Sequence, residues 1–186
     1  MKPHHPWYDE HMPTQNRIRA IPWEGLAQEP MLTDLEKAYI AGFLDGDGCV
    51  MFQLVRRKDY IYGYQIRASI VFYQKTNNRV ILDWLKSKLS RGYIRQRNDG
   101  MTEYTIVGKD YVVETLHILF PFLRLKKKHA RVAFQIARKW PERFDKKSLL
   151  ALGILVDKYQ KMNYSKKRIN TSETLRAFFA EGPRND

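Results

Sequence analysis

The sequence predicts a mixed α+β fold, with one antiparallel sheet covered by helices on one side. Three features of the chain predict it. Apolar residues alternate with period two in two pairs of short runs, each pair is joined by a turn, and helical-period segments precede, separate and follow the pairs. The resulting order is αββαββ followed by three or four helices.

The first element begins at Thr33-Asp34-Leu35-Glu36, a capping box in which the threonine hydroxyl serves the third helical amide and the glutamate reaches back. Its helix runs through Ala38, Tyr39, Ala41 and Leu44 until Gly46-Asp47-Gly48 stops it. The period then switches to two. Val50, Phe52 and Leu54 point one way, and Met51, Gln53, Val55 and Arg57 the other. In a second strand Ile66, Ala68, Ile70 and Phe72 form the apolar side, against Gln65, Arg67, Ser69, Val71 and Tyr73. Lys58 to Gly63 is the turn between them. Asn77 to Leu89 returns to helical spacing through Ile81, Leu85 and Leu89. A second hairpin, Gly92–Arg97 and Glu103–Val107, closes around Asn98-Asp99-Gly100. Helices follow near Asp110–Phe120, Lys127–Lys139 and Lys147–Tyr159. A last one, Thr171–Ala180, is expected to be capped by Asn170 with Glu173 three residues on.

Residues 1–31 contain five of the eight prolines and no steady apolar period, so they read as an N-terminal arm. The expected domain is 32–181, with 182–186 as a tail. Histidines 4, 5 and 11 read as solvated side chains of the arm rather than a metal site. Its acids, Asp9, Glu10, Glu24 and Glu29, are too many for a transit peptide.

Thirty-three Lys and Arg against 20 Asp and Glu leave a formal charge of +13 and a pI near 9.8. Self-repulsion at that charge points to a polyanionic partner, and nucleic acid fits better than membrane. No run approaches the ~18 apolar residues of a spanning helix, and no secretion signal is evident, so the protein is expected to be intracellular and free of membrane. Cys49 is the single cysteine, which excludes internal disulfides and Cys-based zinc sites. No Gly-x-Gly-x-x-Gly or Walker loop is present, which disfavours a dehydrogenase or P-loop enzyme.

The chemically informative segment is Tyr39-Ile40-Ala41-Gly42-Phe43-Leu44-Asp45-Gly46-Asp47-Gly48. Each internal glycine costs a helix ~1 kcal/mol against alanine. Ala41, Gly42 and Gly46 at close spacing would allow a second helix backbone to approach. Asp47 falls at the negative end of the helix dipole, where a carboxylate is disfavoured by up to ~1 kcal/mol and calls for a compensating cation. On spacing alone, the segment also reads as an ordinary Asp-Gly helix stop ahead of a strand.

Residues 40–48 resemble the LAGLIDADG motif of the homing endonucleases. The likeness extends to Gln74-Lys75-Thr76, Gly92-Tyr93-Ile94-Arg95-Gln96-Arg97, Glu103-Tyr104, the run from Pro121 to Lys128, Ser165-Lys166 and Thr171-Ser172-Glu173-Thr174. Together these resemble the single-motif branch over roughly Leu32 to Ala180. The resemblance implies the αββαββα fold with a saddle-shaped antiparallel sheet. It also implies a homodimer, with Ala41, Gly42 and Asp45 at the interface. Asp47 becomes the metal ligand with the Gly46 carbonyl beside it, and Gln74 and Lys126 join Asp47 as catalytic residues that organise solvent. Magnesium is the implied cofactor, with manganese able to substitute, because carboxylates, carbonyls and phosphate oxygens suit a hard cation. Water activated by metal would attack phosphorus in line, with no protein nucleophile. One departure stands out: Asn77 and Asn78 occupy a stretch where relatives tend to carry a basic residue, and Arg79 follows.

An antiparallel ribbon with Arg, Gln and Asn on one face fits a major groove ~12 Å wide. The expected readers are Gln53, Val55, Arg57, Tyr60, Gln65, Arg67, Ser69, Tyr73, Arg95, Arg97, Glu103 and Thr105. Lys75, Arg79, Lys128, Ser165, Lys166, Arg168 and Thr171 complete the DNA-binding set. Lys128 and Lys166 lie in two basic runs, Arg124 to Arg131 and Lys158 to Arg168, that suit phosphates. A ten-residue strand spans ~33 Å, so two subunits would cover roughly 20 base pairs. The expected activity is therefore magnesium-dependent, staggered cleavage of a long pseudo-palindromic duplex. The alternatives are an intron RNA maturase, for which RNA would be the partner, and a non-cleaving DNA-binding protein. By resemblance, the gene is expected in a chloroplast or mitochondrion.

Overall fold

The computed structural model describes residues 32–163 and 169–181. The arm, the tail, and the candidate DNA-binding residues Ser165, Lys166 and Arg168 lie outside the described residues.

Helix α1 (Asp34–Asp47) starts where the sequence places it: the Thr33 hydroxyl accepts from the Glu36 amide at 3.3 Å, and a Glu36 carboxylate oxygen accepts from the Thr33 amide at 2.8 Å. It ends at Gly48, whose amide donates to the Leu44 carbonyl. A β-carbon there would lie 2.6 Å from Leu44 Cδ1 and 2.8 Å from its backbone, so the exit into the sheet needs glycine.

Strand β1 (Gly48–Arg56) pairs antiparallel with β2 (Tyr64–Lys75) from Gly48↔Phe72 to Arg56↔Tyr64. A 3₁₀ turn at Thr76–Asn78 precedes α2 (Val80–Leu89), and the short strand β3 (Tyr93–Gln96) pairs with β4 (Met101–Val107). β4 also pairs with β2, giving one four-stranded antiparallel sheet in the order β1-β2-β4-β3. The chain ends in α3 (Lys109–Leu119), α4 (Lys127–Arg138), α5 (Lys146–Gln160) and α6 (Ser172–Glu181). Among the described residues no helix is long and apolar enough to cross a membrane.

The predicted period-two faces are the observed ones. Val50, Phe52, Leu54, Ile66, Ala68, Ile70, Phe72, Tyr104 and Ile106 are buried on the helix-covered side. α1 reaches that face through Phe43 on Phe72 (ring centroids 6.0 Å apart), and α5 reaches it through Tyr159 on Phe52 (5.2 Å). β1 is an edge strand, a liability that α5 covers: the Tyr159 hydroxyl donates to the Val50 carbonyl at 3.0 Å and the Gln160 amide to that of Phe52 at 3.1 Å.

Two departures from expectation have a local cause; β4 also begins at Met101, two residues before Glu103. The helix expected from Asn77 starts at Val80, because Thr76 is pinned to the second hairpin. Its hydroxyl donates to the Gly100 carbonyl at 2.9 Å and pairs with that of Thr102 at 3.0 Å. The cap of α6 is Thr171 rather than Asn170, since Thr171 Oγ1 accepts from the Thr174 amide and Thr174 Oγ1 accepts from the Thr171 amide.

Candidate functional site

The last turn of α1 carries two carboxylates facing opposite ways. Residue 45 is one helical turn beyond Ala41, and both fall on the buried side; Ala41 is 0% exposed and Asp45 8%. Asp45 Oδ2 accepts from the amides of Arg124 (2.6 Å) and Leu125 (3.0 Å), and Oδ1 from that of Lys126 (2.8 Å). Three successive N–H groups converge on one carboxylate, which ties the segment entering α4 to the end of α1. Asp47, two residues on, is exposed.

The compensating cation demanded by a carboxylate at a helix C-terminus is present. Lys126 Nζ donates to the Asp45 backbone carbonyl at 2.7 Å, filling one of the acceptors that every helix end leaves over. Desolvation lowers the pKa of this ammonium, against the opposing pull of Asp45, Cys49 and Asp47, so Lys126 stands within the field of the exposed carboxylate. Burial raises the pKa of the neighbouring Cys49 thiol. Gln74 lies two residues along β2 from Phe72, the partner of Gly48, and is half-buried. Its side-chain oxygen accepts from the Lys75 amide at 2.9 Å. Asp47 and Lys126, distant in sequence, therefore come together at the end of α1, and Gln74 lies on β2 two residues beyond the partner of Gly48.

Among the described residues no three His, Cys, Asp or Glu side chains cluster as a closed metal cage. What one chain offers is the exposed Asp47 carboxylate and the last-turn carbonyl of Gly46. These are oxygen donors only, the set that a hard divalent cation accepts, with waters, phosphate oxygens or a second copy completing the shell.

The outward face of α1 corrects the expected interface. Of Ala41, Gly42 and Asp45, only Gly42 points outward; the other two are buried in their own chain, Asp45 by its three amides. The exposed stripe instead runs Leu35, Ala38 and Tyr39, Gly42, Gly46, at spacings of three and four. Leu35 is 84% exposed, and apart from α1's own backbone and neighbouring residues nothing lies within 4 Å of a β-carbon built on Gly42 or Gly46. That leaves an open, small-residue surface along α1.

The outer sheet face carries the expected polar residues in register: Gln53 beside Arg67, Val55 beside Gln65, and Tyr73, Glu103 and Arg95 in one row. Gln53, Arg57, Tyr60, Lys75, Arg79, Arg95, Arg97 and Lys128 are exposed. Gln65, Arg67, Tyr73 and Thr171 are partly so. Ser69, Glu103 and Thr105 are buried and correct the expectation that they touch bases directly. They are short or inward-held residues on the two central strands, flanked in register by Met51, Val107, Tyr73, Arg95, Val71 and Tyr93. Val71, on the same face, is likewise only 3% exposed.

Glu103 has a different role from the one expected. Its Oε1 accepts from Arg95 Nε at 2.9 Å, and its Oε2 lies 3.9 Å from Arg97 Nη1. Arg97 is held from the other side by Asp99 at 2.7 Å. One buried acid thus orients two exposed arginines. Arg79, in the stretch that departs from relatives, pairs with Asp83 at 3.2 Å, a half-exposed pair of little strength. Arg57 is clipped to Asp59 at 2.8 Å, and its guanidinium lies 5.5 Å from the Tyr60 ring centre.

The role of Asp45 was open to sequence reasoning in part, since the period that buries Ala41 also buries residue 45. Its amide partners were not, being 79 to 81 residues away.

Comparison with known proteins bears on the same residues. The pattern of the LAGLIDADG endonuclease family matches residues 40–134, about half of the chain. The DNA endonuclease I-CvuI of Chlorella vulgaris is 39% identical over 142 residues, covering 76% of this chain and 88% of that protein. I-CreI of Chlamydomonas reinhardtii is 34% identical over 145 residues, covering 75% and 85%. The crystal structure of I-CvuI in complex with its target in the presence of 2 mM Ca superposes with a TM-score of 0.76 at 37% identity, covering 79% of this chain and 94% of that one. A second I-CvuI structure, with the I-CreI target and 2 mM Mg, gives 0.75. The chain belongs to the LAGLIDADG endonuclease family. Its sequence carries one copy of the motif, at residues 40–48.

Proposed function

We propose that the protein cuts a long pseudo-palindromic duplex by divalent-metal-dependent hydrolysis, leaving staggered ends, with one Asp47 from each subunit at the scissile phosphates. The observation that carries this reading is that α1 presents an open glycine stripe and ends on an exposed carboxylate at the rim of a polar sheet face. Packing two such helices along their stripes brings two Asp47 carboxylates close, an arrangement that repels unless cations lie between them.

Asp47 and the Gly46 carbonyl are the chain's ligands for magnesium, and manganese, an oxygen-loving ion of like geometry, substitutes. A divalent ion bound there would activate water and stabilise the departing 3′ oxygen. Lys126, held on the Asp45 carbonyl, offsets the negative charge of the phosphate and of Asp47. Gln74 has an amide nitrogen with which to hold a water beside the phosphate. The exposed residues of the outer face, with Arg95 and Arg97 foremost, read base edges, and Lys75, Lys128 and the Ser165-Lys166 segment hold backbone. The gene is proposed to be organellar.

The test is Asp47→Asn. Duplexes selected from a randomised pool by the wild type should be bound by the variant in calcium with near wild-type affinity, while cleavage in magnesium falls by about a thousandfold or more. A variant that still cleaves removes Asp47 from the chemistry. A wild type that nicks no bound duplex in magnesium or manganese removes the nuclease reading.

A further inference from the structure

The loop joining β1 to β2 lies at the opposite end of β1 from Asp47. Gly48 and Arg56 are eight residues apart on a strand, or about 26 Å. If Asp47 lies at the centre of the target, residues 57–63 lie at its outer end. Hairpin tips are ordinarily the most mobile part of a sheet. This one is held from outside.

The grip comes from α6. Gly63 adopts φ +67° and closes the loop, donating to the Tyr60 carbonyl at 2.7 Å and accepting from the Arg57 amide at 2.9 Å. The Phe178 ring fills the space on its open side. A β-carbon on Gly63 would sit 2.6 Å from two of the ring's atoms. The same ring meets Tyr64 edge-on with centroids 5.5 Å apart, and the Arg56 guanidinium lies 4.8 Å from its centre. Phe179 meets Tyr62 edge-on at 6.4 Å. At its other end α6 is fixed to the core. Leu175 is fully buried, and the Ser172 amide donates to Asp157 Oδ2 at 2.8 Å. A helix anchored at one end and wedged by two aromatic rings against the tip at the other makes the loop's position a property of the core.

We infer that α6 is a clamp that sets specificity at the outer base pairs, with Phe178 as its positioning residue. The inference rests on the nuclease reading only for which part of the DNA the tip meets. Phe178 fixes the backbone from which Arg57, Lys58 and Tyr60 project. Loosening it lets these side chains sample several registers, so mismatches at the outer positions cease to be penalised while binding and chemistry at the centre persist.

The experiment has two arms on the full chain. Amide hydrogen exchange of Phe178→Ala should show faster exchange at Arg57 and Gly63 by about tenfold or more, with central β2 and β4 amides unchanged. Cleavage by wild type and variant is then measured on single-base variants of the best duplex that wild type recovers from a randomised pool. Discrimination at the two or three outermost positions should fall about fivefold or more, with inner positions within about twofold. Phe178→Tyr, which keeps the ring, should restore both. Unchanged exchange at the tip overturns the clamp. Faster exchange with an unaltered specificity profile, or a uniform loss across all positions, overturns the specificity role. If wild type cleaves no duplex, the nuclease reading falls and the specificity role with it, while the exchange arm still decides whether α6 holds the tip.

Discussion

Asp45 and Asp47 sit two residues apart on the last turn of one helix, and the fold treats them as opposites. Asp45 faces inward, is almost wholly buried, and gives its oxygens to three backbone amides. Asp47 faces outward at the negative end of the helix, where the local field disfavours it. A carboxylate placed with its hydrogen-bonding needs met serves stability. One placed against the field, beside a lysine and open space, is available to a cation. The difference also separates the two sides of α1. The inner side carries the fold, and the outer side, with Gly42 and Gly46, is the one proposed for assembly and chemistry.

The largest effect expected from this contrast is on stability. Asp45→Ala strands three amides in a partly buried loop, each worth ~1–3 kcal/mol if left unsatisfied, so a net loss of about 3–5 kcal/mol is expected after relaxation. Asp47→Ala should change stability by less than about 0.5 kcal/mol. Urea denaturation of both variants checks this. Equal losses would mean that the inner and outer carboxylates share one structural role.

A change on the outer face should act on assembly instead. Gly42→Leu fills the open surface that a second α1 would occupy, and overpacking a close interface costs about 1–3 kcal/mol. Sedimentation at micromolar concentration should show the dimer weakened tenfold or more. Ala41→Leu, placed in the core of its own chain, should lower the melting temperature of the monomer unit. If the two variants behaved alike, the assignment of faces would fail.

The hairpins extend the comparison, because Glu103 is to Arg95 and Arg97 what the backbone amides are to Asp45: a partner that fixes direction. Glu103→Gln leaves the shape and removes the charge. Discrimination should drop by about 1–2 kcal/mol at one or two base positions. Binding to unrelated duplex should tighten, since one negative charge leaves a basic face. Affinities on a panel of singly substituted duplexes separate this from a uniform loss.

What the sequence made legible follows the same division. The strands were readable because one side of the sheet is buried, which forces alternation at Val50-Phe52-Leu54 and Ile66-Ala68-Ile70-Phe72. The start of α1 was readable because a capping box is local. Asp47, Gln74 and Lys126 are singled out by resemblance; the fold sets Lys126 against the end of α1 and Gln74 on β2, two residues past the partner of Gly48. The errors arose where long-range partners decide. The resemblance puts Ala41 and Asp45 at the interface, but the inward half of the helical wheel takes both into their own chain's core. Ser69, Glu103 and Thr105 were read as base contacts because alternation tells which face a residue shares but not which neighbours cover it. The start of α2 shifted because Thr76 answers to Gly100 and Thr102 rather than to its own helix.

The smallest effect tests the field argument at the other end of α1. Glu36 is an acid in the first turn, where the dipole favours it. Its carboxylate takes a hydrogen bond from Lys88 of α2 at 2.7 Å and others from Thr33, and these bring its pKa down from the ordinary 4.5 to about 2. A group whose folded pKa is depressed contributes stability above its unfolded pKa and loses it as pH falls through the folded one. Here the loss should begin near pH 4.5 and be complete by about pH 2. The side chain lies at the surface, so the contribution is modest and screened by salt. Wild type should melt above Glu36→Gln at pH 6, and the gap should close as the pH is lowered from 4.5 towards 2, sooner in high salt. A gap that persists unchanged at the lowest pH would show that the Thr33 cap works through shape alone, and that the sign of the helix field does not distinguish Glu36 from Asp47.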